Sequence, residues 1–184
     1  DGFDTDGTLI DGATASSYDP PTGLQVSTIY RRYAHDACNS VFVQSTGTFL
    51  VTVNGDFTAG AIATTGETIC YEGDPMEIES LTSASGGEGN ISYQWQLSTT
   101  NSQLGYSDIT DAVSANYTPS TGLTQTTWYR RMAKDEGCSE TFSPSSGVWN
   151  VTVYDDFIAG SISDDQMICD EGISGELIGV ARRG

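Results

Sequence analysis

One long stretch of this chain occurs twice, and the repeat limits the possible folds more than any other feature of the sequence. Residues 18–70 recur as residues 117–169, with an offset of 99 or 100 throughout. A period near 100 is too long for a solenoid unit, which runs to roughly 20–50 residues, and it is the size of one β-sandwich domain. The sequence therefore predicts a tandem array of domains, an organisation typical of spacers, stalks and adhesins rather than of enzymes.

The phase of the repeat divides the chain into three predicted parts. Residues 1–54 are the back part of one repeat, residues 55–154 are a complete repeat, and residues 155–184 are the front part of a following repeat. Neither partial repeat contains a counterpart of residues 86–99, which hold the most core-like strand. Because half a sandwich exposes apolar side chains and unpaired strand edges, we expect the partial repeats to be completed by more of the same polypeptide or by another copy of it.

The complete repeat has the sequence pattern of short strands separated by turns. Residues 91–98 alternate between apolar and polar side chains, as expected of a half-buried strand, and Trp95 lies near its centre. About seven strands in about 100 residues, with a tryptophan on the third, favour an all-β fold of tandem immunoglobulin-like β-sandwich repeats. The other predicted strands are 57–62, 67–70, 76–84, 126–133 and 147–154, with short extended segments at 109 and 115–118.

Three aromatic residues are predicted to lie in the core: Trp95, Tyr129 and the counterpart of the latter, Tyr30. Tyr129 follows Leu123 at a spacing that resembles the corner before the sixth strand of immunoglobulin-like domains. At that corner a tyrosine hydroxyl bonds back to the upstream backbone. The two tyrosines are therefore either corner residues or ordinary core aromatics.

The chain is strongly acidic, and its few basic residues are grouped. The formal net charge is −18, and six of the seven basic residues form Arg–Arg pairs at 31–32, 130–131 and 182–183. Nucleic-acid binding requires clustered cations that displace counterions, so no nucleic-acid partner is predicted. An anionic membrane surface would repel this chain for the same reason. No apolar run reaches 18 residues, so no membrane span is predicted.

The Arg–Arg pairs have a predicted structural role. Because neighbours on a strand point to opposite faces, one arginine of each pair is expected to point partly inward, with its head on a carboxylate or a carbonyl.

Four cysteines in a chain with the composition of an exported β protein favour disulfide bonds. Cys70 lies near the start of the complete repeat, and Cys138 lies in the turn after its sixth predicted strand. In an immunoglobulin-like sandwich the first strand begins at the end of the domain where that turn lies. We therefore predict that Cys70 and Cys138 bond within the complete repeat. Cys38 and Cys169 occur in the partial repeats, and their predicted partners lie outside this segment or in a neighbouring copy. The competing pair, Cys38–Cys70, would have to span the length of a domain.

No arrangement typical of an enzyme occurs in the sequence, and we predict a non-enzymatic protein without a cofactor. The single histidine, His35, is replaced by Lys134 in the next repeat, so we interpret it as a surface residue. Calcium at the joints between repeats is a second hypothesis. Calcium takes about six to eight oxygen ligands, and only two or three can be named at any one joint. The candidate ligands are Asp56, Glu72, Asp156 and Glu171.

A set of short motifs runs along the chain. They are Ile91-Ser-Tyr-Gln-Trp-Gln96, Tyr117-Thr-Pro119, Leu123, Thr127-Trp-Tyr-Arg-Arg131, Cys138, and the Ile-Cys pairs at 69–70 and 168–169. This set resembles the immunoglobulin-like (PKD-like) tandem repeats of very large surface adhesins from gliding bacteria that use type IX secretion. The resemblance covers nearly the whole chain. The chain departs from the pattern at residues 179–184, which differ from residues 80–85 of the complete repeat.

The resemblance implies export across the outer membrane, an extracellular place on the bacterial cell surface, and a role as an adhesin or extended filament. The implied partners are neighbouring repeats of the same protein or other copies in a linear assembly, and the motifs specify no surface ligand. A carbohydrate-binding or accessory module of a secreted enzyme is the alternative. A glycan site would require exposed, coplanar aromatics. Trp128 and Trp149 are replaced by Ile29 and Phe49 in the other repeat, so we interpret them as packing positions.

Overall fold

The structure, a computed structural model, describes residues 7–139, 141–163 and 165–180. Every regular element in these residues is a β-strand, so the all-β class predicted from the sequence is confirmed. The chain divides into two compact units, a first unit of Asp1–Gly55 and a second unit of Asp56–Gly184. The immunoglobulin-like type of the repeats stays a prediction. Among the described residues, no helix is long and apolar enough to cross a membrane.

The first unit contains four short strands, which form two separate antiparallel sheets of two strands each. In one sheet β1 (Thr28–Tyr30) pairs with β4 (Phe49–Val51). In the other sheet β2 (Tyr33–Ala34) pairs with β3 (Val43–Gln44). Most side chains of these strands are exposed or half-buried, so the unit holds its strand pairs without a closed core.

Tyr30 is a correction to the predicted core. Its side chain is half-buried rather than buried, and its ring lies against that of Tyr18 with the centroids 5.7 Å apart. The described residues of the first unit contain no counterpart of the strand at Ile91–Ser98, which pairs beside the equivalent Tyr129. An aromatic ring is buried only when neighbours cover both of its faces, so Tyr30 stays partly open to solvent.

The second unit contains ten strands in its described residues. Two of them, β8 and β10, are much longer than the others and form the centre of the main sheet. The strands are β5 (Ala61–Ile62), β6 (Glu67–Ile69), β7 (Ser80–Thr82), β8 (Ile91–Ser98), β9 (Ser107–Asp108), β10 (Thr127–Asp135), β11 (Ser143–Pro144), β12 (Trp149–Val153), β13 (Ser161–Ile162) and β14 (Gly179–Val180).

The main sheet has the strand order β6-β12-β10-β8-β9, and β11 also pairs with β10. All of these pairs are antiparallel except β6 with β12, which run parallel. The bounds of β8 are those that the apolar–polar alternation predicts, and β10 extends two residues beyond its predicted end at 133. The two-residue strands β9 and β11 were not predicted, since two residues are too few to show alternation.

A hydrophobic core lies between the main sheet and the smaller β5–β7 sheet. Trp95 and Tyr129, both predicted core residues, are 0% and 1% exposed. The indole N–H of Trp95 donates to the carbonyl of Ser114 at 2.8 Å, so this buried ring leaves no donor unsatisfied. Tyr117 stacks on Trp95 with a centroid distance of 5.5 Å. The buried members of the core are Ile62, Ile78, Trp95, Ala112, Tyr129, Trp149 and Val151.

The last described residues repeat the beginning of the second unit without its packing. β13 pairs with β14, so that Ile162 lies opposite Gly179, as Ile62 lies opposite Ser80 in the β5–β7 pair. The turn that follows is also alike, because Gly172 N donates to Cys169 O at 2.8 Å and Gly73 N donates to Cys70 O at 2.9 Å. The apolar side chains differ, since Ile162 is 73% exposed whereas Ile62 is 1% exposed.

Candidate functional site

The Arg130–Arg131 pair behaves as the alternation of a strand requires. Arg131 points inward from β10 and is fully buried, whereas Arg130 lies on the outer face, half-buried, over the ring of Tyr106 at 4.0 Å. Arg131 Nε donates to the hydroxyl of Ser145 at 3.0 Å. Its Nη1 donates to the hydroxyl of Ser80 at 2.7 Å. The predicted inward arginine is therefore confirmed for this pair. It is wrong for the pair at 31–32, where both side chains are exposed, and residues 182–183 lie outside the described residues.

The remaining partners of Arg131 are backbone carbonyls from three separate segments. Nη1 also donates to Ala115 O at 2.9 Å, and Nη2 donates to the carbonyls of Ala59, Ala61 and Thr82 at 3.1–3.4 Å. The guanidinium lies 4.6 Å from the ring centroid of Tyr93. Desolvation lowers the pKa of Arg131, but a guanidinium stays protonated in proteins. Its buried charge is thus solvated by carbonyl dipoles, and the side chain ties the smaller sheet to the main sheet.

A second buried charge, Asp135, closes the end of β10. Its carboxylate accepts backbone N–H groups from Glu88 at 3.2 Å and Gly89 at 2.8 Å in one loop, and from Cys138 at 2.9 Å in the other. Desolvation raises the pKa of Asp135, but these backbone donors outweigh it and hold the pKa below its ordinary value. A Cβ on Gly87 would lie 2.5 Å from the carboxyl carbon, so a glycine is required there. Two loops are therefore fixed against one carboxylate.

The sequence does contain a signal for the cap at Asp135. Asp36 occupies the same phase in the first unit, and its Oδ1 accepts the N–H groups of Cys38 and Asn39 at 2.9 and 2.8 Å. An aspartate that recurs just before each cysteine of the turn could have indicated this capping role.

Tyr129 behaves as a core aromatic. Burial raises the pKa of Tyr129 to about 12, while a hydrogen bond with the side chain of Thr127 acts in the opposite direction. In the part of the chain that the structure describes, its hydroxyl makes no hydrogen bond to the upstream backbone. Of the two interpretations left open by the sequence, the structure favours the ordinary core residue over the corner residue.

The predicted Cys70–Cys138 bond is wrong for this fold. Cys70 follows β6, whose last residue Ile69 accepts from Tyr154 N, and it lies near the beginning of β10. Cys138 follows the other end of β10, a strand of nine residues. At about 3.3 Å per residue the two cysteines are separated by roughly 30 Å, whereas a disulfide needs Cα atoms within about 7 Å. Cys70 is an exposed free thiol in the structure.

The physical reason lies in how the first strand crosses the unit. Thr58 pairs with Ser85 at the end of the unit where Asp135 and its two loops lie, which is where the first strand was predicted to begin. The chain then passes through β5 and β6 before it reaches Cys70, which places Cys70 at the opposite end. Cys38 and Cys169 are exposed free thiols, and their pairing stays a prediction.

The calcium hypothesis receives no support from the positions of its ligands. Asp56 lies against Gly86 at the Asp135 end of the unit, whereas the backbone N–H of Glu72 donates to Leu123 O at the other end, so these two carboxylates cannot share an ion. Across residues 7–139, 141–163 and 165–180, no group of three or more His, Cys, Asp or Glu side chains is placed to hold a metal ion. Asp156 and Glu171 are also exposed.

The comparisons with known proteins identify one family. Residues 58–155, more than half of the 184 residues, match a family described as a domain of unknown function (DUF8696), and the chain belongs to that family. The match runs from the first bridge of the second unit at Thr58 to just beyond β12, and it contains every buried core residue. The comparisons with curated proteins and with solved structures gave no match.

Proposed function

We propose that this chain is a non-enzymatic structural and adhesive repeat region of an extracellular bacterial surface protein or filament. The observation that carries the proposal is that the same strand pairing and the same tyrosine ring contact occur in both units. Thr28 pairs with Val51 as Thr127 pairs with Val151. The ring pair Tyr18–Tyr30 has a centroid distance of 5.7 Å and an angle of 42°, and its counterpart in the second unit has 5.8 Å and 42°.

The residues that recur in phase are residues that hold the fold. Arg32 donates to Ser45 Oγ at 3.0 Å and to Ser16 O at 3.1 Å, as Arg131 does to the corresponding hydroxyl and carbonyl. Asp36 caps the same turn as Asp135. A repeated module that retains its structural contacts, while His35 becomes a lysine, is what a spacer requires, because each module must reproduce its shape rather than a reaction.

The acidic surface supports an extended, soluble surface protein. With a net charge of −18, neighbouring molecules repel one another except where a specific contact forms. The alternative, a carbohydrate-binding accessory module, has less support from the aromatic residues: Trp149 is 7% exposed and packs in the core, and Trp128 is half-buried. These rings form no open, coplanar platform.

Antibody labelling of intact source cells tests the proposal. Antibodies raised against the folded chain should label unpermeabilised cells, and brief protease treatment of the cells should remove the signal. An antibody against a cytoplasmic protein serves as the control and should label only permeabilised cells. Labelling that requires permeabilisation would contradict the surface location, and saturable binding of the folded chain on a glycan array would favour the carbohydrate-binding alternative.

A further inference from the structure

One asparagine of this chain differs from the others in the residue that follows it. The sequence contains six asparagines, at positions 39, 54, 90, 101, 116 and 150, and only Asn54 is followed by glycine. Asn54 and Gly55 are the last two residues of the first unit, and both are exposed and lie outside the strands. Because glycine carries no Cβ, the backbone nitrogen can approach a side-chain amide more closely here than at the other five positions.

An asparagine side chain and the next backbone nitrogen can close a five-membered ring. The nitrogen attacks the side-chain carbonyl carbon, a new C–N bond forms, and the amide nitrogen leaves as ammonia, which takes up the proton of the backbone N–H. The product is a succinimide, and water opens it at either carbonyl to give aspartate or isoaspartate. The whole reaction consumes water and releases ammonia, so it requires no enzyme, oxidant or cofactor.

The attacking nitrogen is available at Gly55. Among the described residues its backbone N–H donates no hydrogen bond. A Cβ on Gly55 would meet nothing within 4 Å, so no neighbouring atom hinders the ring that forms there. Glycine also adopts backbone conformations that are closed to other residues, which lets its nitrogen turn toward the side chain of Asn54. An exposed side chain and an unengaged nitrogen therefore occur side by side.

The complete repeat shows that this segment is exposed in a finished unit as well. The pair equivalent to Asn54 and Gly55 is Tyr154 and Asp155, which follows the complete second unit. Tyr154 is held by its N–H, which donates to Ile69 O at 3.0 Å, yet its side chain is 64% exposed. Asp155 is exposed, and its N–H donates no hydrogen bond within the described residues. The first residue of the pair is anchored and the second stays open.

Two asparagines of the second unit are protected by their surroundings. The side-chain carbonyl of Asn116 accepts the N–H of Ser80 at 3.0 Å. The next nitrogen is engaged too, because Tyr117 N donates to Ile78 O at 3.1 Å. Asn150 lies within β12, which pairs with strands on both sides, so its extended backbone cannot turn to close the ring. At both positions the folded structure opposes the reaction.

The remaining asparagines are hindered by a hydrogen bond or by the next side chain. The side-chain carbonyl of Asn101 accepts two backbone N–H groups, two and three residues further along, at 2.8 Å each. Asn90 is exposed, but the branched side chain of Ile91 crowds the nitrogen that would attack. Asn39 is exposed and is followed by Ser40, whose side chain is smaller. Asn39 is therefore expected to be the second most reactive position.

We propose that Asn54 is a site of spontaneous deamidation, which converts it to aspartate or isoaspartate through a succinimide formed with Gly55. Each conversion adds one negative charge to a chain whose formal net charge is −18, and isoaspartate also lengthens the main chain by one carbon. Because the ammonia is lost to solvent, the converted fraction increases with the age of the molecule. Tyr154 cannot react, so the modification distinguishes one repeat from the next. The inference is independent of the proposed surface function.

Peptide mapping of the full chain by mass spectrometry, after timed incubation in mildly alkaline buffer, tests the proposal. The peptide that contains Asn54 should gain the mass of an amide-to-carboxylate exchange and take up heavy oxygen from labelled water. Isoaspartate and aspartate should both appear, since the ring opens at either carbonyl. In the folded chain Asn54 should convert at least about tenfold faster than any other asparagine, a difference of about 1.4 kcal/mol in the activation barrier.

Two substitutions test the requirement for glycine. Gly55→Ala places a Cβ in open space, so the fold should be kept, and conversion of Asn54 should be slower by about tenfold or more. Ser40→Gly gives Asn39 the same neighbour as Asn54, and conversion of Asn39 should be faster by about tenfold. Asn54→Gln is the control, because its longer side chain cannot close a five-membered ring. Circular dichroism of each variant should match that of the parental chain. Equal rates in the parental chain and in Gly55→Ala would overturn the proposed route.

Incubation in urea separates the effect of the sequence from that of the structure. Asn54 should convert at nearly the same rate in the folded and the unfolded chain, because its segment is already open. Asn116 should convert faster once the chain is unfolded, because both of its hydrogen bonds are lost. Protection of Asn54 by about tenfold or more in the folded chain would overturn the proposal, as would conversion of Asn39 or Asn90 at the rate of Asn54. Neither result would alter the cell-labelling outcome, so the two proposals fail independently.

Discussion

The first unit and the equivalent half of the second unit are the same structure with and without a covering layer. Strand register, the tilted tyrosine pair and the first two hydrogen bonds of the inner arginine agree between them. The burial of equivalent side chains differs between the two units. Phe49 is 63% exposed where Trp149 is 7% exposed, and Arg32 is exposed where Arg131 is fully buried.

Local sequence therefore specifies local geometry in this chain, whereas burial depends on strands that are distant along the chain. In the first unit the strand pairs and the cap made by Asp36 form within the single segment 28–51. The core forms only where β8 extends the main sheet beside β10 and the β5–β7 sheet packs against that sheet. Stability should therefore reside in the second unit, and substitutions at equivalent positions should have unequal effects.

The largest expected loss of stability is at Trp95, which has no counterpart in the first unit. Trp95→Ala should lower the free energy of unfolding of the second unit by about 3–5 kcal/mol, because a fully buried indole is replaced by a cavity. Urea unfolding followed by the fluorescence of Trp128 and Trp149 measures it. Phe49→Ala is the control in the first unit and should leave this transition unchanged. A Trp95→Ala loss within about 1 kcal/mol of zero would contradict the core assignment.

The next largest effect is expected at Arg131, and it should exceed the effect at its first-unit counterpart Arg32. Arg131→Met removes the only charged donor to four carbonyls and two hydroxyls in the described residues, and we expect a loss of about 2–4 kcal/mol. Arg32→Met, on an exposed side chain with the same first two partners, should cost less than about 0.5 kcal/mol in the monomer. Equal losses in the two variants, measured by urea unfolding at low protein concentration, would show that burial does not distinguish the sites.

The sequence predicted β8, the inward arginine and the buried Trp95 and Tyr129 because each depends on alternation along one strand. It did not predict the exposure of Tyr30, since Tyr30 and Tyr129 have similar local sequence and differ only in the presence of a covering strand. The capping role of Asp135 depends on a loop that is 45–47 residues away along the chain. The separation of Asp56 from Glu72 was not predicted for the same reason, because proximity to a domain joint in sequence does not give the end of the unit at which a side chain lies.

Acid should weaken the second unit through Asp135. Its folded-state pKa is lower than its unfolded value, so the stability that it contributes is present above the ordinary carboxyl pKa of about 4 and is lost as the pH falls through the folded-state value. Glu136, whose pKa is lowered first by the hydroxyl of Ser92 and then by Lys134, acts in the same direction. Asp135→Asn should therefore lower the melting temperature at pH 7 and flatten, without abolishing, its decline on acidification.

The matched control for this pH effect is Asp36→Asn, which changes the equivalent capping carboxylate in the first unit. Melting curves of the tryptophan fluorescence between about pH 7 and pH 3 should have the parental slope in this variant. A parental slope in Asp135→Asn as well would mean that the buried carboxylate does not titrate with folding.

The smallest expected effect concerns the cysteines, where the structure and the sequence disagree. Since β10 separates Cys70 from Cys138 by roughly 30 Å, the monomeric chain should contain no bond between them. Non-reducing peptide mapping of the monomer should recover the two cysteines in separate peptides, and reductant should leave the melting temperature of the monomer unchanged. A bond of this span would stabilise by about 4 kcal/mol in the chain-entropy model, so its presence could not be missed. Finding it would require Cys70 and Cys138 to share one end of the unit, which would refute the parallel pairing of β6 with β12 and with it the path of the chain from Thr58 to Cys70.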